Sequence, residues 1–169
     1  MELNPLTALS PIDGRYARQT DALRDIFSEC AFMNARVRVE VEWLISLSEA
    51  GFAELPHLSD HGKAFLRGLA DNFSLADCEA IKEIEKTTNH DVKAVEYWIK
   101  NQVAHDEELK SASEFVHFSC TSEDINNTSH AIMLKRGREA LADYLQQIHD
   151  TIAGFAHQWA EIPMLSRTH

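Results

Sequence analysis

The chain is poor in backbone breakers. Its four prolines stand at positions 5, 11, 56 and 163, so no proline ring interrupts a helix between Pro56 and Pro163. Its six glycines form neither a GxGxxG nor a P-loop pattern, which excludes the common glycine-rich phosphate cradles. The three cysteines, Cys30, Cys78 and Cys120, are odd in number and contain no CxxC pair, so neither a disulfide framework nor a zinc site is expected. No apolar run approaches the roughly 18–20 residues that a membrane helix needs, so a membrane is not an expected partner. The N-terminus lacks the basic start and apolar core of a secretory leader, and the expected location is cytoplasmic. Basic residues are also scarce. Sixteen Lys and Arg face 27 Asp and Glu, giving a net charge of −11. That balance argues against a general nucleic-acid surface. It does not exclude a small anion, because distant charges are screened beyond about 8 Å at physiological salt.

What the chain does have is helical periodicity. Leu23, Ile26 and Phe27 share one face of a helix predicted over Ala17–Glu29. Phe32, Val39, Trp43 and Leu47 recur at helical spacing in the next segment. Its "VRVEV" stretch alternates like a strand, but Gly51 supplies a helix stop and helix is the preferred reading. A shorter helix is predicted over Ser59–Ala70. "SLAD" (74–77) and "TNHD" (88–91) each have the form of a capping box, a hydroxyl followed three residues later by an acid. The helix after the second places Val92, Val95, Ile99 and Val103 on one face. The strongest pattern comes last. Leu134, Leu141, Leu145, Ile148, Ile152, Phe155 and Trp159, with Arg138 as one polar interruption, form a heptad seam. They belong to a helix predicted to start near Ser122 and end before Pro163. One small domain cannot cover so long a seam, so partner helices are expected. The expected architecture is therefore all-α. The expected division is an N-terminal helical domain over 1–110 and the start of a long-helix bundle domain over 111–169.

Four clusters could carry chemistry. His90 and Asp91 fall at a helix start, where free N–H groups and the helix dipole favour anions, and an imidazole can donate a hydrogen bond or transfer a proton. "HFSCTSEDINN" (117–127) places Thr121 and Ser122 at the start of the long helix. For both, an ordinary capped first turn is the simpler account from the residues alone. "MLSRTH" (164–169) gathers Arg167, Thr168 and His169, offering bidentate donors, a hydroxyl and an acid or base. "SPIDGRY" (10–16) is a turn carrying Arg15 and Tyr16, able to hold a phosphate. His57 and His61 flank a proline-containing loop and no HExxH occurs, so no metal is expected. Cys120 reads as a small packing residue.

Together "SPIDGRY", "KTTNHDVKAVEYW", "EFVHFSCTSEDINN" and "IPMLSRTH", in this order and spacing, resemble the adenylosuccinate lyases of bacterial purine synthesis, within the fumarase/aspartase superfamily. The likeness covers essentially the whole chain and corresponds to the N-terminal portion of a longer enzyme. The resemblance implies an all-helical fold, a homotetramer built on a central bundle, active sites shared between subunits, and no cofactor. It implies β-elimination of fumarate from adenylosuccinate and from the succinyl-carboxamide purine intermediate, SAICAR. By the same resemblance His169 is the general acid, His90 a catalytic, substrate-contacting histidine, Thr121 and Ser122 the carboxylate binders, and Arg15 and Tyr16 the phosphate binders. Asp91, Lys93, Arg167 and Thr168 lie at or near the site. The general base would be a serine on a loop beyond residue 169, and a chain without that loop is expected to be inactive. Two alternatives stay open: a helical assembly module, and a sister lyase such as one acting on argininosuccinate.

Overall fold

In the computed structural model, residues 4–55 and 57–167 are described. After a series of turns and a 3-10 turn over Asp21–Leu23, seven α-helices follow among them. They are α1 (Arg24–Phe27), α2 (Glu29–Glu49), α3 (Asp60–Asp71), α4 (Leu75–Thr88), α5 (Asp91–Val103), α6 (Glu107–Ala112) and α7 (Ser122–Gln158). The described residues contain no strand, so the all-α expectation holds and "VRVEV" is helical.

The single helix predicted over 17–29 is not formed; turns, a 3-10 turn and the short α1 occupy that stretch. Ser28 adopts an extended conformation (ψ 163°), and its hydroxyl accepts the Ala31 N–H at 3.1 Å. A serine that can cap a new helix competes with continuation of the old one. Gly51 behaves as the spacing suggests, taking φ +82° just past the end of α2. The "SLAD" capping box is present at Ser74 and Asp77. "TNHD" is different. Thr88 closes α4, Asn89 takes the left-handed conformation at φ 50°, and His90 itself caps α5. Two helices abut there, and the left-handed residue between them shifts the cap by two positions.

Helix α2 is the axis of the core, packing against α1, α3, α4, α5 and α7. Val37, Val41 and Leu44 of α2 lie buried with Val95, Trp98, Ile99 and Val103 of α5 and Leu66 of α3. Burying each such aliphatic side chain contributes about 1.5–3 kcal/mol. The cysteine expectation is overturned: Cys30, at the start of α2, and Cys78, in α4, form a disulfide across 48 residues. Sequence spacing carries no sign of it, because only the packing of α4 beside α2 brings the two together.

Only the first four turns of α7 enter this core. Ile125, Ser129, Met133 and Gly137 recur every four residues and are buried. Gly137 faces the Phe27 ring so closely that any Cβ would collide with it. Beyond Gly137 no residue of the helix is buried. The heptad seam from Leu141 onward lies on this bare length, with Ile148 57% and Trp159 50% exposed. At 1.5 Å per residue the 37-residue helix is about 55 Å long, and roughly half of it projects without cover. No helix among the described residues is long and apolar enough to cross a membrane.

Candidate functional site

The fold brings the mouths of α5 and α7 together. His90 caps α5 by accepting the Lys93 N–H on Nδ1 at 3.1 Å. That contact fixes the neutral imidazole as the tautomer protonated on Nε2. Nε2 then faces the Ser122 hydroxyl, 3.4 Å away, at the first residue of α7. Two groups 32 positions apart in sequence thus meet where two helix dipoles converge, each equivalent to roughly half a positive charge. The N–H groups of Asp91, Ser122 and Glu123 have no acceptor among the described residues. A donor imidazole, a hydroxyl and free N–H groups form an arrangement suited to a carboxylate or phosphate.

Each mouth also carries a carboxylate. Asp91 receives the guanidinium of buried Arg36 at 2.5 Å and its Oδ1 accepts the Val92 N–H at 2.9 Å. Burial, the largest single influence on Asp91, opposes ionisation, but the Val92 N–H and Arg36 together outweigh it and hold its carboxyl below the ordinary value. Arg36 also donates from Nε to Asn126 of α7 at 2.9 Å, so one cation ties both helices to α2. Asp124 accepts the Thr121 N–H at 2.7 Å and the Thr121 hydroxyl at 2.9 Å. Those main-chain and side-chain donors lower its pKa. A cleft of about 480 Å³, lined by Phe32, Arg36, Asn89, His90 and Asp91 together with the acids Glu29 and Glu85, opens beside the α5 mouth.

The residues singled out in the sequence fare unequally. His90, Asp91 and Ser122 converge. The Thr121 hydroxyl stands at the same mouth but is engaged in the capping box with Asp124. Lys93 turns to Glu96 at 2.7 Å, which raises its pKa, and lies over the Tyr97 ring. Arg15 and Tyr16 are exposed on the N-terminal turns, the guanidinium 5.5 Å from the Tyr16 ring centre. Arg167 is exposed in the irregular segment after α7. Among the described residues, no hydrogen bond or ion pair joins Arg15, Tyr16 or Arg167 to His90. Thr168 and His169 lie outside the described residues. Arg36 escapes the sequence reading. Its one signal is a cation at helical spacing from the apolar residues Phe32 and Met33.

Comparison with known proteins decides the family: a profile described as "Lyase" matches residues 14–169. The chain belongs to that lyase family. Over its whole length this lyase-family chain is 53% identical to adenylosuccinate lyase of Haemophilus influenzae, and 52% identical to those of Vibrio cholerae and Escherichia coli. It spans 38% of the length of each of these relatives.

Proposed function

We propose that this chain supplies part of the active centre of an adenylosuccinate lyase. The enzyme would cleave the succinyl C–N bond of adenylosuccinate to give AMP and fumarate, and act likewise on SAICAR. The observation that carries this reading is the meeting of His90 Nε2 with the Ser122 hydroxyl at two helix mouths. The substrate brings a phosphate and two carboxylates. In the elimination a base removes a proton from the succinyl carbon beside a carboxylate, and the developing negative charge spreads onto that carboxylate. Fixed donors aimed at it lower the barrier. The C–N bond then breaks and an acid protonates the departing nitrogen.

In this scheme Ser122, Thr121 and the free N–H groups hold a succinyl carboxylate, and His90 donates to the substrate from Nε2. His169 is the acid, flanked by Arg167 and Thr168. Arg15 and Tyr16 take the phosphate, and Asp91 and Lys93 border the site. Because no hydrogen bond or ion pair joins Arg15 or Tyr16 to His90 among the described residues, the complete site would draw them from a neighbouring copy in a homotetramer. The bare face of α7 would pack in the tetramer's central bundle, with residues 111–169 opening its long-helix domain. The compartment would be the cytoplasm. A pure assembly module is the second reading, favoured by that bare face; it gives no role to the His90–Ser122 contact.

The test is kinetic. In a full-length lyase carrying this segment, His169→Ala should lower kcat for adenylosuccinate far more than it raises KM, and His90→Ala should impair kcat/KM. Wild-type turnover in both variants would leave the assembly reading standing.

A further inference from the structure

The two mouths are held by one stripe of α2. Arg36, Glu40 and Trp43 follow each other at helical spacing, so they share a face. Arg36 grips Asp91 and Asn126, as above. Glu40 is fully buried, and its Oε1 lies 2.6 Å from Nδ1 of His117. Its Oε2 is buried with no hydrogen-bond partner. Trp43 donates from Nε1 to the Phe118 carbonyl at 2.9 Å. The segment these two residues hold, from His117 to Cys120, leads directly into Thr121 and Ser122. It contains two non-glycine residues in left-handed conformations, His117 at φ 63° and Ser119 at φ 61°. Such backbone persists only where surroundings over-determine it. A buried carboxylate with one oxygen unpartnered is an expensive anchor for mere packing, since an apolar residue would fill the same space without that cost.

We infer that Arg36, Glu40 and Trp43 are positioning residues, which together set the left-handed His117–Cys120 segment and the two helix mouths so that Ser122 meets His90. None of the three touches the His90–Ser122 junction itself in this arrangement. Arg36 acts through Asp91 and Asn126, Glu40 through His117, and Trp43 through Phe118. The inference rests on the anion-site reading above, and the experiment separates the two.

The probe is succinate, a dianion resembling the proposed substrate's succinyl half, titrated into the 15N-labelled chain. In wild type, the amide signals of Asp91, Ser122 and Glu123 should move along one saturable isotherm. Glu40→Leu and Trp43→Phe should each weaken succinate at least 5-fold and split the isotherm, with the α7 amides moving separately from Asp91. Glu40→Gln, whose amide oxygen still accepts from the His117 ring N–H, should bind within 2-fold of wild type. Trp43→Phe keeps an aromatic ring and serves if Glu40→Leu fails to fold. Wild-type affinity with a single isotherm in both Glu40→Leu and Trp43→Phe overturns the positioning role and leaves the anion site intact. An absence of saturable shifts in wild type overturns the site and the inference with it. Equal loss in Glu40→Gln and Glu40→Leu also overturns it, since rescue by the conservative variant distinguishes positioning from loss of charge.

Discussion

His90 performs two jobs with two nitrogens, and substitution can separate them. Nδ1 caps α5 through the Lys93 N–H, while Nε2 points at Ser122. Alanine removes both functions. Asparagine can restore the cap with its side-chain oxygen but cannot reach Ser122. Losing a cap costs typically about 1 kcal/mol. His90 is half exposed, with 51% of its side chain accessible, so the loss belongs at the lower end, about 0.5–1 kcal/mol. A hydrogen bond to a charged group contributes about 1.5–3 kcal/mol, equivalent to roughly a 10- to 150-fold change in affinity. His90→Ala should therefore lower urea-melt stability by about 0.5–1 kcal/mol, and His90→Asn by only a few tenths. Both should weaken adenylosuccinate binding to a full-length lyase carrying this segment, measured by calorimetry, by the same roughly 10- to 150-fold. In the neutral imidazole, 15N shifts should show Nδ1 unprotonated and Nε2 carrying the proton. An asparagine variant that binds as tightly as wild type would refute the Nε2 role. One as unstable as alanine would refute the cap.

Other consequences follow from the same geometry. Cys30→Ser opens a loop of 48 residues' separation, and the chain-entropy relation puts the loss near about 4 kcal/mol in non-reducing urea melts; addition of dithiothreitol to wild type should reproduce it. Asp91 has a lowered pKa when folded, so its contribution is present above the unfolded value of about 3.8 and fades as pH falls through the folded value. The stability gap between wild type and Asp91→Asn, followed by melts from pH 7 to pH 2, should therefore close at the acidic end. Glu40 has the opposite sign: burial raises its pKa above 4.5, although His117 pulls it down. The advantage of Glu40→Gln over wild type should grow as pH rises from 4.5 through the folded value. Leu145→Glu with Ile152→Glu should lower the molar mass by light scattering and the melting temperature together, because both residues are exposed in the single chain and would be covered only in a bundle; unchanged mass and melting would count against a bundle built on this face.

Much of the fold is legible in the sequence because apolar periodicity and burial coincide. Val92, Val95, Ile99 and Val103 fall on one helical face by spacing, and all four are buried. The Gly51 stop and the Ser74 box are readable because local chemistry alone decides them. The heptad seam is readable as a pattern, and its exposure is what unpartnered apolar spacing leaves behind. The misreadings are tertiary or depend on backbone choice. Ser28 breaks a helix that its neighbours favour. Asn89 moves a cap from Thr88 to His90. The Cys30–Cys78 bond and the Arg36 tether need packing that no spacing reveals. At the site, the motifs name His90 and Ser122 individually, but not their contact. That contact follows from α5 and α7 both leaning on α2, a fact of the packed molecule and not of either motif.

The central claim is that His90 and Ser122 serve one site, and a double-mutant cycle measures it most directly. In a full-length lyase carrying this segment, kcat/KM for adenylosuccinate would be compared across wild type, His90→Ala, Ser122→Ala and the double variant. Groups sharing one site show coupling of about 0.5–3 kcal/mol, so the double variant should lose clearly less than the two single losses combined. Two substantial losses that add within about 0.3 kcal/mol, as for distant independent positions, would contradict the account.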